Sequence, residues 1–488
     1  MAAIVSTEFR VLNANNFKED IADTSNNVYV GIGKADVWSN ALSDRTDSTN
    51  ISSDFPPDDH LDEFGLARKN LIAIKKLGSS DVSHVVRRYT WETGTVYVPW
   101  DSNDSSIFDK KFYVITSEFK VYKCINAPTT GGSTIQPTQT LTSPTAETDG
   151  YTWKYMYTVS VADSEKFLTN TYMPVKTVSF IDADTGVEYV NNAAAANDLS
   201  EADYAQYLNQ KASRDSYTHN SQDAAGGIER IVVTNGGTFT AGSSAPGVTI
   251  TGDGENATAT AVMNSAGTAV ESITVTTKGS HYTVADITFA SGDAVARAVI
   301  APQEGHGVDP VGELGAFFVG LNTQLDVDDV DITQNNDFRQ VTLIKNPKAY
   351  DSVDYDGALF TAATGRANGY LALNASTADY DRDEVITQTR SDGATARAFV
   401  LDRDDSQNYL YYYQNELTGF IPFEDVSSAG REIVGGTSGE SVLLHASNTR
   451  INPSEIDNKS GDILFLENRA PINRSANQIE DIKLIIEF

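Results

Sequence analysis

The sequence predicts a mainly β protein with a few short helices, built as a discontinuous β-sandwich core domain that carries two inserted small β domains. Three observations point that way. Runs rich in β-branched and aromatic residues, such as "TVYVPW", "KKFYVITSEFKVYKCI" and "YTWKYMYTVSV", recur between Gly, Pro, Asn and Asp. A stretch from Ile228, "IERIVVTNGGTFT", is echoed 42 residues later from Val270 by "VESITVTTKGSHYT". The chain closes on "IEDIKLIIEF", where Ile482, Leu484, Ile486 and Phe488 alternate against Asp481, Lys483 and Glu487, with Ile485 out of phase. Such alternation marks a half-buried strand.

Residues 6–22 predict the first helix, with Phe9, Leu12, Phe17 and Ile21 at helical spacing and Thr7 or Ser6 as its cap. "NNVYVGIG" then opens the strand-dominated part, and "DEFGLARKNLIAIKKLG" predicts a second helix ended by Gly78. In "YTWKYMYTV", Tyr151, Trp153, Tyr155 and Tyr157 alternate against Thr152, Lys154, Met156 and Thr158. Residues 1–184 are the expected first part of the core domain.

The first insertion spans 185–304. It starts with "NNAAAANDLSEADYAQYLNQKASRD", a linker or marginal helix, and continues into the two repeat copies. Each copy adds a short strand ("GVTI", then "DITF") and an alternating one ("ENATATAVM", then "AVARAVI"), which fits two similar sheets or hairpin sets. Two copies are too few for a solenoid. Gly236, Gly237 and Gly279 read as turn residues needing positive φ. Residues 305–349 return to the core domain. The second insertion, 350–455, is Tyr-rich and reads as a small barrel or sandwich, with strands at "EVITQT", "ATARAFVLD", "YLYYYQ", "REIVGG" and "SVLLHA". Residues 456–488 supply the closing strands, with Pro471 in the connection between them, where its missing N–H does least harm.

Composition narrows the function. A chain of 488 residues is too long for one ordinary core, and two to four domains are expected. Its 36 Lys and Arg against 67 Asp and Glu leave a formal charge of −31, which repels phosphate backbones and anionic membrane surfaces. Neither nucleic acid nor membrane is an expected partner. Proteins offering local basic patches are. Cys124 is the only cysteine, so no internal disulfide forms. No basic-apolar leader opens the sequence, and no apolar run nears the ~20 residues of a membrane span. A reducing, aqueous compartment is expected.

Catalytic signatures are weak. "GIGKAD" from Gly31 has Asp36 where a dinucleotide fingerprint needs its last Gly. "GGTSGE" from Gly435 has Glu440 where a nucleophile elbow needs Gly. The histidines at 60, 84, 219, 281, 306 and 445 show no pair at zinc-ligand spacing. His306, in "EGHGVDP", reads as a loop-anchoring residue, with a metal ligand or a base as the sharper alternative. "DVDDVD" from Asp326 and "DRDD" from Asp402 offer oxygens that calcium could use, but neither matches the twelve-residue calcium loop with its Gly and terminal Glu, and solvated acidic runs are the plainer reading. No catalytic, cofactor or metal residue is assigned. Two features remain as candidate protein interfaces. Arg87 and Arg88 in "VVRRY" are either ion-paired within the chain or a docking point for an acidic neighbour. Tyr409, Tyr411 and Tyr413 share one strand face, which is either core, a sugar-stacking surface or a protein contact.

The closing segment "ENRAPINRSANQIEDIKLIIEF" resembles the C-terminus of the baseplate wedge subunit of T-even-like contractile-tailed phages, the β-rich dimeric protein of the outer wedge. Glu467, Asn468, Arg469 and Pro471 keep that family's Glu-Asn-Arg-Pro-Pro pattern, Ala470 departs from it, and Phe488 ends the strand. Further likenesses follow in the same order along the chain. They are "STEFR" with "NNF", "NNVYVGIGKADVWS" with Trp38, "VVRRYTW" with Trp91, "VYKCINAP", "DGYTWKYMYTV" with Tyr151, Trp153 and Tyr155, and "DFRQVTLIKNP" with Phe338 and Arg339. The resemblance covers roughly 1–180, 305–348 and 456–488 and leaves out both insertions. It implies a non-enzymatic structural subunit of the virion tail baseplate, assembled in the host bacterial cytoplasm without a cofactor. It implies a homodimer that links inner-wedge proteins to peripheral proteins carrying tail fibres and moves with them at host attachment. The rival expectations are a glycan-binding adhesin or a polysaccharide depolymerase built on the inserted modules.

Overall fold

The computed structural model describes residues 5–23, 25–35, 61–179, 200–219, 226–326, 336–351, 357–374, 378–415, 417–447, 450–474 and 478–488. Trp38, His60 and most of "DVDDVD" lie outside them. The protein is mostly β, with antiparallel strand pairs in several sheets. Two compact units divide it, Met1–Asn16 with Ser83–Gly320 and Ile485–Phe488, and Phe17–Val82 with Leu321–Leu484. That division differs from the expected boundaries, since it cuts through the segment read as core.

The second unit holds a five-stranded sheet in the order Thr364–Arg366, Leu71–Lys76, Val28–Gly33, Asp337–Lys345 and Asp462–Asn473. Val28–Gly33 is buried along its whole length, as a central strand must be. Gly31 permits this, because a Cβ there would meet Thr342 Oγ1 at 2.5 Å and Leu71 Cδ2 at 2.6 Å. "GIG" is a packing device. The predicted second helix is half right. Leu61–Lys69 is helical, but "LIAIKK" from Leu71 is a strand, because its apolar run fills a place between two partners of the sheet.

Pro471 also departs from expectation, since it lies within the strand Asp462–Asn473. Phe338 faces Ile472 and Gln340 faces Asn468, so residues 469–471 bulge opposite Arg339. A bulge frees Pro from donating to the ladder. The Tyr-rich segment forms a seven-stranded sheet around a core of Leu371, Ile386, Ala398, Val400, Leu410 and Ile433. Backbone bonds from Asn374 N to Leu443 O (2.9 Å) and from His445 N to Ala372 O (2.8 Å) carry the sheet back on itself.

In the first unit, Tyr113–Ile115, Lys120–Asn126, Thr152–Thr158 and Thr145–Ala146 make a four-stranded sheet. The tyrosine alternation does not run through. A register shift at Val121/Tyr122 puts Trp153 and Tyr155 in one cluster, while Met156 and Tyr157 join another. The other side of the strand is closed as well, with Lys154 fully buried. The helix Glu201–His219 is more than a linker. Gln210 donates to Val178 O at 3.1 Å and Val308 O at 3.0 Å, so amides rather than an apolar stripe dock it.

The repeat forms one interleaved sheet instead of two. Its order is Val248–Gly252, Ala285–Phe289, Val295–Ile300, Ile228–Asn235, Val270–Thr277 and Thr258–Met263, and the two ends meet at a Gly247–Thr260 bridge. Closure removes the free edges. Gly237 and Gly279 have φ of +70° and +67° as expected; Gly236 does not, and is needed because a Cβ would lie 2.7 Å from Val270 O.

Both ends of the chain correct their predicted faces. Ser6 caps the helix Thr7–Ala22 by accepting from Phe9 N at 3.3 Å. Phe9 and Leu12 are each 53% exposed, and Ala14 and Ile21 are the buried positions. The strand Glu480–Glu487 is at the edge of a sheet ordered Glu480–Glu487, Phe318–Leu325, Val82–Arg87 and Tyr172–Val175. Leu484 is buried, but Ile482, Ile486 and Phe488 are only half-buried. Ile485 was the interruption; it packs against the cluster of Val85, Phe167, Phe317 and Phe318.

Candidate functional site

The most unusual chemistry in the first unit is a buried ionic cluster. Strand Lys120–Asn126 carries Lys123 inward, and its Nζ lies 2.8 Å from Glu313 Oε2 and 3.1 Å from His306 Nδ1. Trp100 closes over it, with the ammonium 4.3 Å from the ring centre and His306 edge-on to the same ring. Glu313 Oε1 accepts from the backbone N–H of Gly307 (2.7 Å), Val308 (3.1 Å) and Asp309 (3.3 Å), so one carboxylate folds the loop around His306. Glu229, from the first strand of the repeat, lies 3.6 Å from His306 Nε2 and accepts from Lys278 at 3.2 Å.

Burial alone would raise both carboxyls. Lys123 and His306 bring Glu313 down to about 2, and His306 and Lys278 do the same for Glu229. Burial pushes the Lys123 ammonium down, opposed by Glu313. Two carboxylates face two ammonium groups, and that balance of charge lets the cluster sit out of water. It is a clasp. A second clasp stands beside it, where Asp101 receives Arg297 through both oxygens (2.8 and 2.5 Å) and Arg230 at 3.3 Å. His306 is therefore a loop anchor, as its sequence context suggested, and among the described residues no group of three potential ligands gathers for a metal. Sequence reading missed Lys123, Glu229, Glu313 and Asp101. A lysine inside the apolar run "VYKCI" was the available signal.

The candidate interface residues are not brought together. Arg87 is exposed and lies 3.9 Å from Asp109, while Arg88 donates to Thr169 O at 2.8 Å and so ties the end of its strand to the turn at 169–171. Tyr409, Tyr411 and Tyr413 do share a half-buried face, with Leu410 on the core side. Tyr409 and Tyr411 pack around Tyr370 at 4.3 and 5.5 Å, and Tyr413 stacks on Phe399 at 5.5 Å. In "DRDD", Arg403 pairs with Asp405 at 2.7 Å and Arg382 lies 3.6 Å from Asp402. These acids face the chain's own arginines.

The signature residues have structural places. Trp91 donates to Ser133 Oγ at 3.1 Å and packs with buried Tyr151 and Trp153, whose rings stack at 5.8 Å, and with Tyr155. Phe338 and Arg339 are buried, and Arg339 reaches Asp337 at 3.1 Å. Asn468 is buried and accepts from Gln340 at 2.8 Å, while Glu467 and Arg469 pair at 2.9 Å. Phe488 N donates to Phe317 O at 3.0 Å, and its carbonyl accepts from Arg10.

A family model described as Phage-Gp8, Bacteriophage T4 Gp8, matches residues 398–488. No curated protein matches the chain. The matched residues run from the strand Thr395–Asp404 to the end, so they take in Tyr409–Tyr413, which the sequence resemblance had left among the insertions. The match supports a structural role in a T4-like phage baseplate, over the C-terminal part of the chain.

Proposed function

We propose that this chain is a structural subunit of a contractile-tail baseplate wedge, assembling as a homodimer. It joins inner-wedge proteins to peripheral, fibre-bearing proteins and moves with them at host attachment. The family match over 398–488 carries the reading, because it falls on the segment containing Glu467, Asn468, Arg469, Pro471 and Phe488. The buried clasps fit a load-bearing part. A charge-balanced ionic cluster fixes several chain segments in one geometry, and breaking it is costly. Movement in such a part is rigid-body rearrangement at its interfaces. The charge of −31 requires a dimer interface that is locally neutral or apolar, with charge at its rim.

Electron cryo-microscopy of the intact tail tests the reading, with density for this chain expected in each wedge. Its absence from purified tails would overturn the assignment. Sedimentation of the isolated protein at physiological salt is expected to give the mass of a dimer. A strict monomer at micromolar concentration would remove the homodimer from the proposal.

A further inference from the structure

We propose that a cleft in the second unit binds the acidic end of a saccharide. Tyr350, Tyr413, Phe420, Asn368, Asn458 and Lys69 are among the residues lining it, and its volume is 230 Å³. In a chain with 67 acidic residues, no Asp or Glu lines this cleft among the described residues, and Lys69 is the only charged side chain among those that do. Lys69 Nζ lies 4.5 Å from the Phe420 ring centre, and no carboxylate pairs with it among the described residues. Tyr350 and Phe420 are 43% and 45% exposed, so they offer aromatic faces to solvent.

Asn368 adds the second, independent observation. It is only 4% exposed; its amide donates to Gly369 O at 3.3 Å, while its buried Oδ1 has no hydrogen-bond partner among the described residues. A buried acceptor left unmade is expensive, so a donor brought to it through the cleft would be stabilising.

Aromatic faces take the C–H side of a sugar ring, an orphan amide oxygen takes a hydroxyl, and a lone ammonium takes a carboxylate. At 230 Å³ the cleft is below the ~300–1,000 Å³ of drug-sized sites, which suits one ring rather than an extended segment. Of the three tyrosines singled out in the sequence, only Tyr413 takes part. The inference stands apart from the baseplate reading, because its test needs only the isolated chain.

The test uses the full-length protein with methyl β-D-glucuronide and methyl β-D-glucoside as probes, by saturation-transfer NMR and titration. Both are expected to bind, the uronide about tenfold more tightly, as one charge-assisted hydrogen bond provides. Lys69→Met is expected to erase that preference. Phe420→Ala and Tyr350→Ala, both at exposed positions, are expected to weaken both probes without moving the thermal midpoint. No transfer from either probe, or equal binding that Lys69→Met leaves unchanged, would overturn the proposal. So would a proline-rich peptide that binds the cleft where neither sugar does, since that assigns it to a protein neighbour.

Discussion

Lys123 is a positive charge placed out of reach of water, and it is tolerable there only because Glu313 meets it at 2.8 Å. Removing one member of such a pair leaves the other uncompensated, so Lys123→Met is expected to cost about 3–5 kcal/mol. Denaturant titration of the purified chain measures it; a cost under about 1 kcal/mol would mean that the cluster relaxes or is hydrated. The carboxyls also set a pH signature. Glu229 and Glu313 titrate near 2 in the fold against an ordinary 4.5, so their contribution is present above 4.5 and is lost as pH falls from there towards 2. The thermal midpoint should be level on the neutral side of that window and fall within it. Glu313→Gln should make the fall shallower. Lys123 runs the other way, because burial disfavours its charge, and the 2.8 Å contact is the reason to expect the charged pair to persist. Sequence marks only Lys123, as a lysine inside an apolar run; Glu229 and Glu313 lie far from it, and nothing local marks them as its partners.

At the scale of elements, the strands were legible and their faces were less so. "KVYKCIN" and "TWKYMYT" read as strands because β-branched and aromatic residues leave little else. The face of Thr7–Ala22 was misread because Phe9 and Leu12 are large and apolar, yet Ala14 is the residue that the packing has room for. Ala14→Leu is therefore expected to destabilise by about 1–3 kcal/mol through overpacking, while Phe9→Ser should change the thermal midpoint little. The last strand gives a matching contrast. Ile485 looked like a break in the pattern, but it packs against Val85, Phe167, Phe317 and Phe318. Ile485→Ala should cost about 2 kcal/mol or more, and Lys483→Ala, whose 3.3 Å pair with Asp481 is open to solvent, almost nothing. Equal effects would mean that this strand is held by its backbone alone.

For the molecule as a whole, the informative feature is how the repeat is wired. Every strand of the first copy pairs with the second. Ile228–Asn235 pairs with Val295–Ile300 and Val270–Thr277, Val248–Gly252 with Ala285–Phe289, and Thr258–Met263 with Val270–Thr277. The 42-residue offset survives in space, where Ile231 faces Ile273. Sequence showed the two copies but not their interleaving, because period-2 patterns say which residues face inward and not which strand lies alongside. A half-repeat is therefore left with unpaired edges and half a core, whereas the closed pair has its own interior around Ile228, Ile231, Val270, Ile273 and Ala298. A fragment spanning residues 226–304 is expected to fold alone and unfold in one cooperative step by circular dichroism, although modest size makes it only marginally stable. A fragment spanning 226–268 should stay unfolded at any temperature. The isolated barrel also loses His306 and keeps Lys278, which still lies 3.2 Å from Glu229. Its stability should consequently fall less steeply with acid than that of the same segment in the whole chain, since one of the two partners that lower Glu229 is gone and its folded value moves back towards the ordinary 4.5. Identical acid transitions in fragment and full chain would mean that His306 does not act on Glu229, and an unfolded 226–304 fragment would mean that the barrel depends on its surroundings for its core.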